Sequence, residues 1–235
     1  MTINSHRFSW QPTNDDTIAA ALPLTDYPIM TRFEHQIGPS QYQPHNSAIN
    51  RAIIIGSSGS GKSTLARQLG ASLELPVIHL DRHFWHPGWV ETPLDEWRIE
   101  VARLVQRRQW VMDGNYRETL DMRLDAADMV VFLDLHPMVC TWRTLKRRVE
   151  YYNRPRPDMA RGCREPLFDP QVFQFLRRVW NYPHRARPDV VRRLNEAAPT
   201  KRVIWLRSRQ EVQRFLYTPL DYPAYMPEMA VVGNQ

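Results

Sequence analysis

Gly56-Ser57-Ser58-Gly59-Ser60-Gly61-Lys62-Ser63 fits G-x-x-x-x-G-K-[ST] at every fixed position. An apolar run over residues 52–55 precedes it, and Leu65 and Leu69 follow on one helical face. Strand, glycine-rich turn and helix is the context in which backbone N–H groups curl around a phosphate. The helix N-terminus there adds the positive end of its dipole. The pattern assigns Gly56, Ser57, Ser58, Gly59, Ser60, Gly61, Lys62, Ser63 and Thr64 to nucleotide phosphates. Lys62 would reach the β and γ phosphates, and the Ser63 hydroxyl would be a Mg²⁺ ligand. At an average glycine content of about 7%, a chance match is on the order of 1%, and correct flanks lower that.

Working outward, four further short apolar runs lie at residues 77–80, 110–112, 129–133 and 203–206. Continuous rather than alternating runs suit strands buried on both faces of a parallel sheet. Helical spacing fills the gaps. Gly70 is placed to cap the first helix. Thr92-Pro93-Leu94-Asp95 has capping-box spacing and opens a stripe of Trp97, Val101, Leu104 and Val105. Met138, Trp142, Leu145, Val149 and Tyr152 form a second stripe, and Val172, Phe175, Leu176 and Val179 a third. Ser208 and Glu211 cap a last helix that turns Val212, Phe215 and Leu216 inward. Strands alternating with helices predict an α/β, doubly wound, five-stranded parallel sheet with helices on both faces, the P-loop NTPase fold. Ligands on such sheets bind at the carboxyl ends of the strands.

The chain has 235 residues, 43% of them hydrophobic and 24% charged. No run of 18 apolar residues is present, so no membrane-spanning helix is expected. The N-terminus lacks the basic-then-apolar pattern of a secretory signal. Cys140 and Cys163 are too few for a disulfide framework, and a cytoplasmic location is expected. Residues 1–50, with five prolines and no sustained periodicity, read as an N-terminal extension, partly disordered or packed on the surface. Residues 51–216 read as the folded domain and 217–235 as a tail. Net charge is +6, and it is regional: residues 143–193 hold 13 Arg and one Lys against five acids, while the rest nets −3. A polyanion is the simplest partner for such a segment, because the arginine fork suits phosphate.

Two aspartates stand at strand ends. Asp113 ends the third run, where a carboxylate faces the phosphate loop and can hold Mg²⁺ or its water. Asp-Gly is also a common turn pair. Asp81 ends the second run, where it can take a proton from an acceptor hydroxyl or clamp the acceptor. Asp134, after the fourth run, reads as structural. Phe84, Trp85, Trp89 and Trp97 crowd behind Asp81; they can stack on a base or sugar, or pack a small insertion. His79, His83 and His86 lack a fourth ligand, so a zinc site is not expected. Residues 153–170, with Arg154, Arg156, Arg161 and Arg164 among four prolines, sit where a mobile lid would exclude water. Arg177, Arg178, Arg185 and Arg187 could close from the other side.

Together, the loop, the strand-end segment Asp113-Gly114-Asn115-Tyr116-Arg117 and the arginine-rich stretch resemble adenylate-kinase-related P-loop proteins of the DNA topology modulation family. The segment resembles the DGFPR of adenylate kinases, with Asn115-Tyr116 in place of Phe-Pro. Leu133-Asp134-Leu135 followed by Arg143, Arg147 and Arg148 resembles their fourth strand and next helix. His79-Leu80-Asp81 with Phe84-Trp85-x-Pro87-Gly88-Trp89 resembles the hallmark of the topology-modulation group, not the acceptor region of true adenylate kinases. The resemblance implies that Arg143 stacks on the ATP base, that Arg147 touches its phosphates and that Arg117 meets the acceptor's phosphate.

The sequence therefore predicts an ATP- and Mg²⁺-dependent kinase with Lys62, Asp81, Asp113 and Arg147 as catalytic residues. The small acceptor, a nucleotide or nucleoside-like compound, would lie near Asp81, Trp85 and Arg117. An acceptor hydroxyl would suit Asp81 as a base. The alternative is an ATP-binding protein acting on DNA through the basic segment, whose binding would fall steeply with salt. No helix-turn-helix, zinc finger or RNA-binding signature supports it. A GTPase switch is disfavoured because no Asn-Lys-x-Asp occurs.

Overall fold

The computed structural model describes residues 49–165 and 170–225. The expectations for residues 1–48 and 226–235, and for lid residues 166–169, lie outside the described residues. Five parallel strands form the sheet: β1 (Arg51–Gly56), β2 (Val77–His79), β5 (Trp110–Asp113), β6 (Met129–Leu133) and β7 (Arg202–Leu206), in the order β2-β5-β1-β6-β7. β3 (Trp85–His86) and β4 (Val90–Glu91) make a separate antiparallel hairpin.

β1 is central because its side chains need cover on both faces. Ile53 and Ile55 point into one core and Ala52 and Ile54 into the other, the two-residue alternation of a strand. The first core is closed by Trp97, Val101 and Leu104 of α3 (Leu94–Val105), Leu124 of α4 (Leu120–Ala126) and Val190 and Leu194 of α8 (Arg187–Ala197). The second is closed by Leu65, Ala66 and Leu69 of α1 (Lys62–Ser72) and Phe215 of α9 (Arg209–Tyr217). Ile54 pairs with Asp113 on one side and with Val131 on the other. The P-loop and Asp113 therefore leave the same end of adjacent strands, where such a sheet binds ligand.

Helix capping departs from expectation twice. α1 runs past Gly70 to Ser72. A Cβ on Gly70 would stand 2.5 Å from Val77 Cγ2, so the glycine admits β2 rather than ending the helix. α3 starts at Leu94 with no side-chain cap. The Thr92 hydroxyl instead donates to Phe84 O (2.6 Å), tying the hairpin shut. Ser208 does cap α9, accepting from Glu211 N at 3.1 Å.

The larger correction concerns α5 (Pro137–Glu150). Its apolar stripe faces outward: Met138, Trp142, Leu145 and Val149 are exposed, and so is Tyr152 just beyond the helix. The inward residues are Cys140 and Thr144. They are small because this face lies against the P-loop backbone; a Cβ on Gly59 would be 2.1 Å from Cys140 O. α6 (Pro170–Trp180) packs beside α5 and buries Val172 and Val179 as its spacing predicts. α7 (Tyr182–Arg185) joins it to α8. Residues 218–225 run along the sheet edge, with Tyr225 N on Val203 O at 2.6 Å. Among the described residues no helix is long and apolar enough to cross a membrane.

Candidate active site

Between β1 and α1 the chain has no bulk to fit. Gly59 sits at φ +78°, in the left-handed region, with α5 directly above it. Only glycine meets both conditions. Lys62 Nζ folds back to donate to Ser57 O at 2.9 Å. The Ser57 and Ser60 hydroxyls are buried and have no hydrogen-bond partner. Gly61 offers α1 no side-chain cap, so the first-turn N–H groups face the loop. Orphaned hydroxyls, an uncapped helix N-terminus and a lysine together fit the phosphates of a nucleotide. Beside the loop is a cavity of about 330 Å³. Gly59, Gly61, Lys62, Ser63 and Thr64 line it from the loop, Arg143 and Arg147 from α5, and Arg156 and Asp158 from the lid. Arg147 also donates to Ser58 Oγ at 3.3 Å.

Behind Lys62 lie the two strand-end carboxylates. Burial lowers the pKa of Lys62, and the charges of Asp113 and Asp81 work against that. Asp113 is buried, its Oδ1 2.6 Å from His79 Nδ1. Asp81 opens the short helix α2 (Asp81–Phe84) and accepts from the Tyr116 hydroxyl at 2.6 Å. Withdrawal from water raises the Asp81 pKa; the Tyr116 bond lowers it, and the Asp113 charge raises it again.

Tyr116 owes its position to Arg123. This arginine is fully buried and donates to the carbonyls of Thr119, Gly114 and Tyr116. Burial pulls its pKa down to about 10 against the charges of Tyr116, Glu118 and Asp113. Three carbonyls held by one fork fix the path of residues 114–119. Gly114, at φ +150°, lets that path pass Leu80, whose Cβ would be 2.8 Å from an added methyl. The Tyr116 ring then stacks against Phe84 (4.6 Å) and Trp97 (4.8 Å). Trp97 is in the core, so it packs the insertion rather than offering a face to a ligand. Trp85 packs edge-on to Phe84 and to Trp89.

The segment expected to form a lid is clamped from within over its described residues. Arg156 donates to both oxygens of Asp158 (3.2 and 2.7 Å) and to Glu165 (2.7 Å), and Arg148 lies 3.2 Å from Glu165. Burial pushes Asp158 up, but the Arg156 bond and charge prevail and hold it at about 2. Asp158 and Ser63 line the same cavity. The other side of this segment holds the hairpin and α2: Trp89 Nε1 donates to Arg164 O (2.7 Å) and Gly88 N to Gly162 O (3.3 Å), while Arg82 of α2 donates to Pro157 O.

Lys62, Asp81, Asp113 and Arg147 are thus gathered, with Arg143 on the cavity wall. Asp81 and Asp113 stand behind Lys62 and do not line the cavity itself, and neither do the two other residues expected at the acceptor. Trp85 is on the hairpin, and Arg117 is exposed, its carbonyl taken by Arg193. Of the lid arginines only Arg156 lines the cavity; Arg154, Arg161 and Arg164 are exposed. Nor does the second arginine group close over the loop. Arg187 holds Asp134 at 2.9 Å, and Arg178 lies over Phe175. Asp134 also accepts from Trp205, a structural role as expected. His83 pairs with Glu100, and among the described residues no His, Cys, Asp and Glu cluster could hold a metal. The sequence reading missed Arg123, Asp158 and the Tyr116 hydroxyl.

No protein-family model and no curated protein matches the chain. Solved structures similar to it include a gluconokinase from Sinorhizobium meliloti 1021, at 19% identity over 72% of this chain and 87% of that one, TM-score 0.41. A shikimate kinase from Acinetobacter baumannii in complex with shikimate matches at 17% identity over 73% and 91%, TM-score 0.48. A sugar kinase from Janibacter sp. HTCC2649 matches at 19% identity over 72% and 92%, TM-score 0.42.

Proposed function

We propose that this protein is an ATP-dependent phosphotransferase acting on a hydroxyl group of a small, nucleoside-like acceptor. The observation that carries the reading is Asp81. It is a carboxylate with a raised pKa, oriented by Tyr116 and close enough to Lys62 to affect its charge. A phosphate acceptor is already ionised and would be repelled by Asp81 and Asp113. A hydroxyl acceptor must lose a proton, and a carboxylate whose pKa is raised above its ordinary value is a stronger base.

Asp81 takes the proton as the acceptor oxygen attacks. Lys62 and Arg147 neutralise charge on the phosphoryl group in transit. Ser63 and Asp113 would hold Mg²⁺, which when bound supplies further neutralisation of the phosphates. Arg143 and Arg156 wall the nucleotide cavity, and the lid keeps water from competing with the acceptor.

The test is ADP release from Mg²⁺-ATP across a panel of nucleosides, nucleotides and small polyols, with Lys62→Ala as blank. An acceptor that raises turnover well above the basal rate, with the gain lost in Lys62→Ala, supports the proposal. Turnover that ignores every acceptor yet responds to duplex DNA in a salt-sensitive way would overturn it in favour of the DNA-contacting alternative.

A further inference from the structure

The proposed phosphotransfer makes no use of the outward stripe of α5. Met138, Trp142, Leu145 and Val149 are 45%, 65%, 41% and 64% exposed, and Tyr152 is 48% exposed. Their spacing is 4, 3, 4 and 3 residues. Met138, Trp142, Leu145 and Val149 keep on α5 the spacing of a left-handed coiled-coil seam, Tyr152 continues it just past the helix end, and a seam of this kind seeks another helix. An ordinary surface helix carries its apolar stripe inward; this one carries Cys140 and Thr144 inward and its large side chains to solvent.

We infer that this face is the interface of a homodimer, in which α5 packs antiparallel to α5 of a second copy across a two-fold axis. Three observations favour a second copy. First, a seam with this 4-3-4 spacing on α5 is its own complement when reversed, as a two-fold axis permits. Second, its flanking positions are Val139, Thr141, Lys146 and Arg148, and Arg148 is held by Glu165. The seam positions themselves carry no charge, and Lys146 is the exposed flanking cation that pairing would have to leave in solvent. Third, the exposed apolar area on α5 and α6 is of the order a dimer needs. Val139 is also exposed, as are Phe173 and Trp180 on the adjoining α6. With these, the exposed apolar surface is roughly 800 Å² per copy, about what a standard interface takes from each partner. Tryptophan, tyrosine and methionine are also the side chains that interface cores favour.

The consequence reaches the nucleotide side. The face opposite the seam carries Cys140 and Thr144 against Gly59, and the same helix places Arg143 and Arg147. Pairing would hold the helix that walls the cavity.

The test is the solution mass of the full chain by sedimentation equilibrium from about 1 to 100 μM. The expected result is a concentration-dependent shift toward twice 27.8 kDa. Trp142→Glu combined with Val149→Glu should weaken association by at least a hundredfold and leave far-UV circular dichroism unchanged. The single change Leu145→Lys, at an exposed position, is the second variant should the double one fold poorly; it should weaken association at least tenfold. A chain that stays monomeric at 100 μM overturns the inference. So does a dimer that tolerates both variants. A monomer that cosediments with phosphatidylserine vesicles, and loses that binding with Trp142→Glu, would assign the face to lipid instead.

Discussion

Around Lys62 the crevice is made of main chain, and around Asp81 it is made of side chains. The loop from Gly56 to Ser63 shapes itself through glycine conformations and turns its N–H groups inward. Asp81 is instead held by Tyr116 from a different strand end, and Tyr116 by Arg123 from a helix further on. The lid reaches both regions, with Arg156 and Asp158 on the nucleotide cavity and Gly162 and Arg164 on the hairpin. A main-chain site tolerates little variation because its geometry is the motif. A side-chain site can be retuned for another acceptor one residue at a time while the nucleotide side stays intact.

This contrast sets the order of expected effects. Lys62→Ala should reduce acceptor-dependent turnover by about 10³-fold with the fold retained, measured by coupled ADP release and circular dichroism. Asp81→Asn should cost about 10²-fold in kcat, yet raise the melting temperature at pH 7. The sign follows from the raised pKa: folding favours the protonated carboxyl, so its stability contribution is lost as pH rises through the folded value, and the neutral amide avoids that loss. A melting temperature that falls would break the comparison, because Asp81 would then be a structural anchor.

Arg156→Ala should destabilise by about 3 kcal/mol, since it strands Asp158 and leaves Glu165 to Arg148 alone. Asp158 is depressed from 3.8 to about 2. Its contribution is present above the higher value and lost as pH falls toward the lower, so denaturant midpoints of variant and parent should converge between those two pH values. Tyr116→Phe is the smallest change, about tenfold in kcat with the acceptor KM nearly unaltered. It removes the bond that lowers the Asp81 pKa. The acid limb of the kcat/KM profile should therefore move to higher pH, a shift that a merely structural tyrosine would not produce.

The same contrast explains what the sequence disclosed. A phosphate loop is contiguous, so eight residues suffice to read it, and buried apolar runs announce each strand of the five-stranded sheet but not the β3–β4 hairpin. Asp81 and Asp113 were visible because strand ends in this topology point to one crevice. Tyr116 was not, since its partner lies 35 residues away and the reading noted it only as a departure from a motif. Arg123 looked like any surface arginine; its burial depends on three carbonyls that converge only after folding. The α5 stripe misled for a physical reason. Periodicity reveals that a helix has two faces, and nothing in it says which face meets the protein. There the deciding fact is Gly59, whose close approach demands small residues on α5.

The most direct test of the central claim is the bond formed on the product, read by ³¹P NMR for the accepted compound with the parent enzyme and with Asp81→Asn. The account predicts a phosphomonoester on the acceptor hydroxyl, formed about 10²-fold more slowly without the carboxylate. A phosphoanhydride formed on an acceptor phosphate, at a rate that Asp81→Asn leaves unchanged, would contradict it.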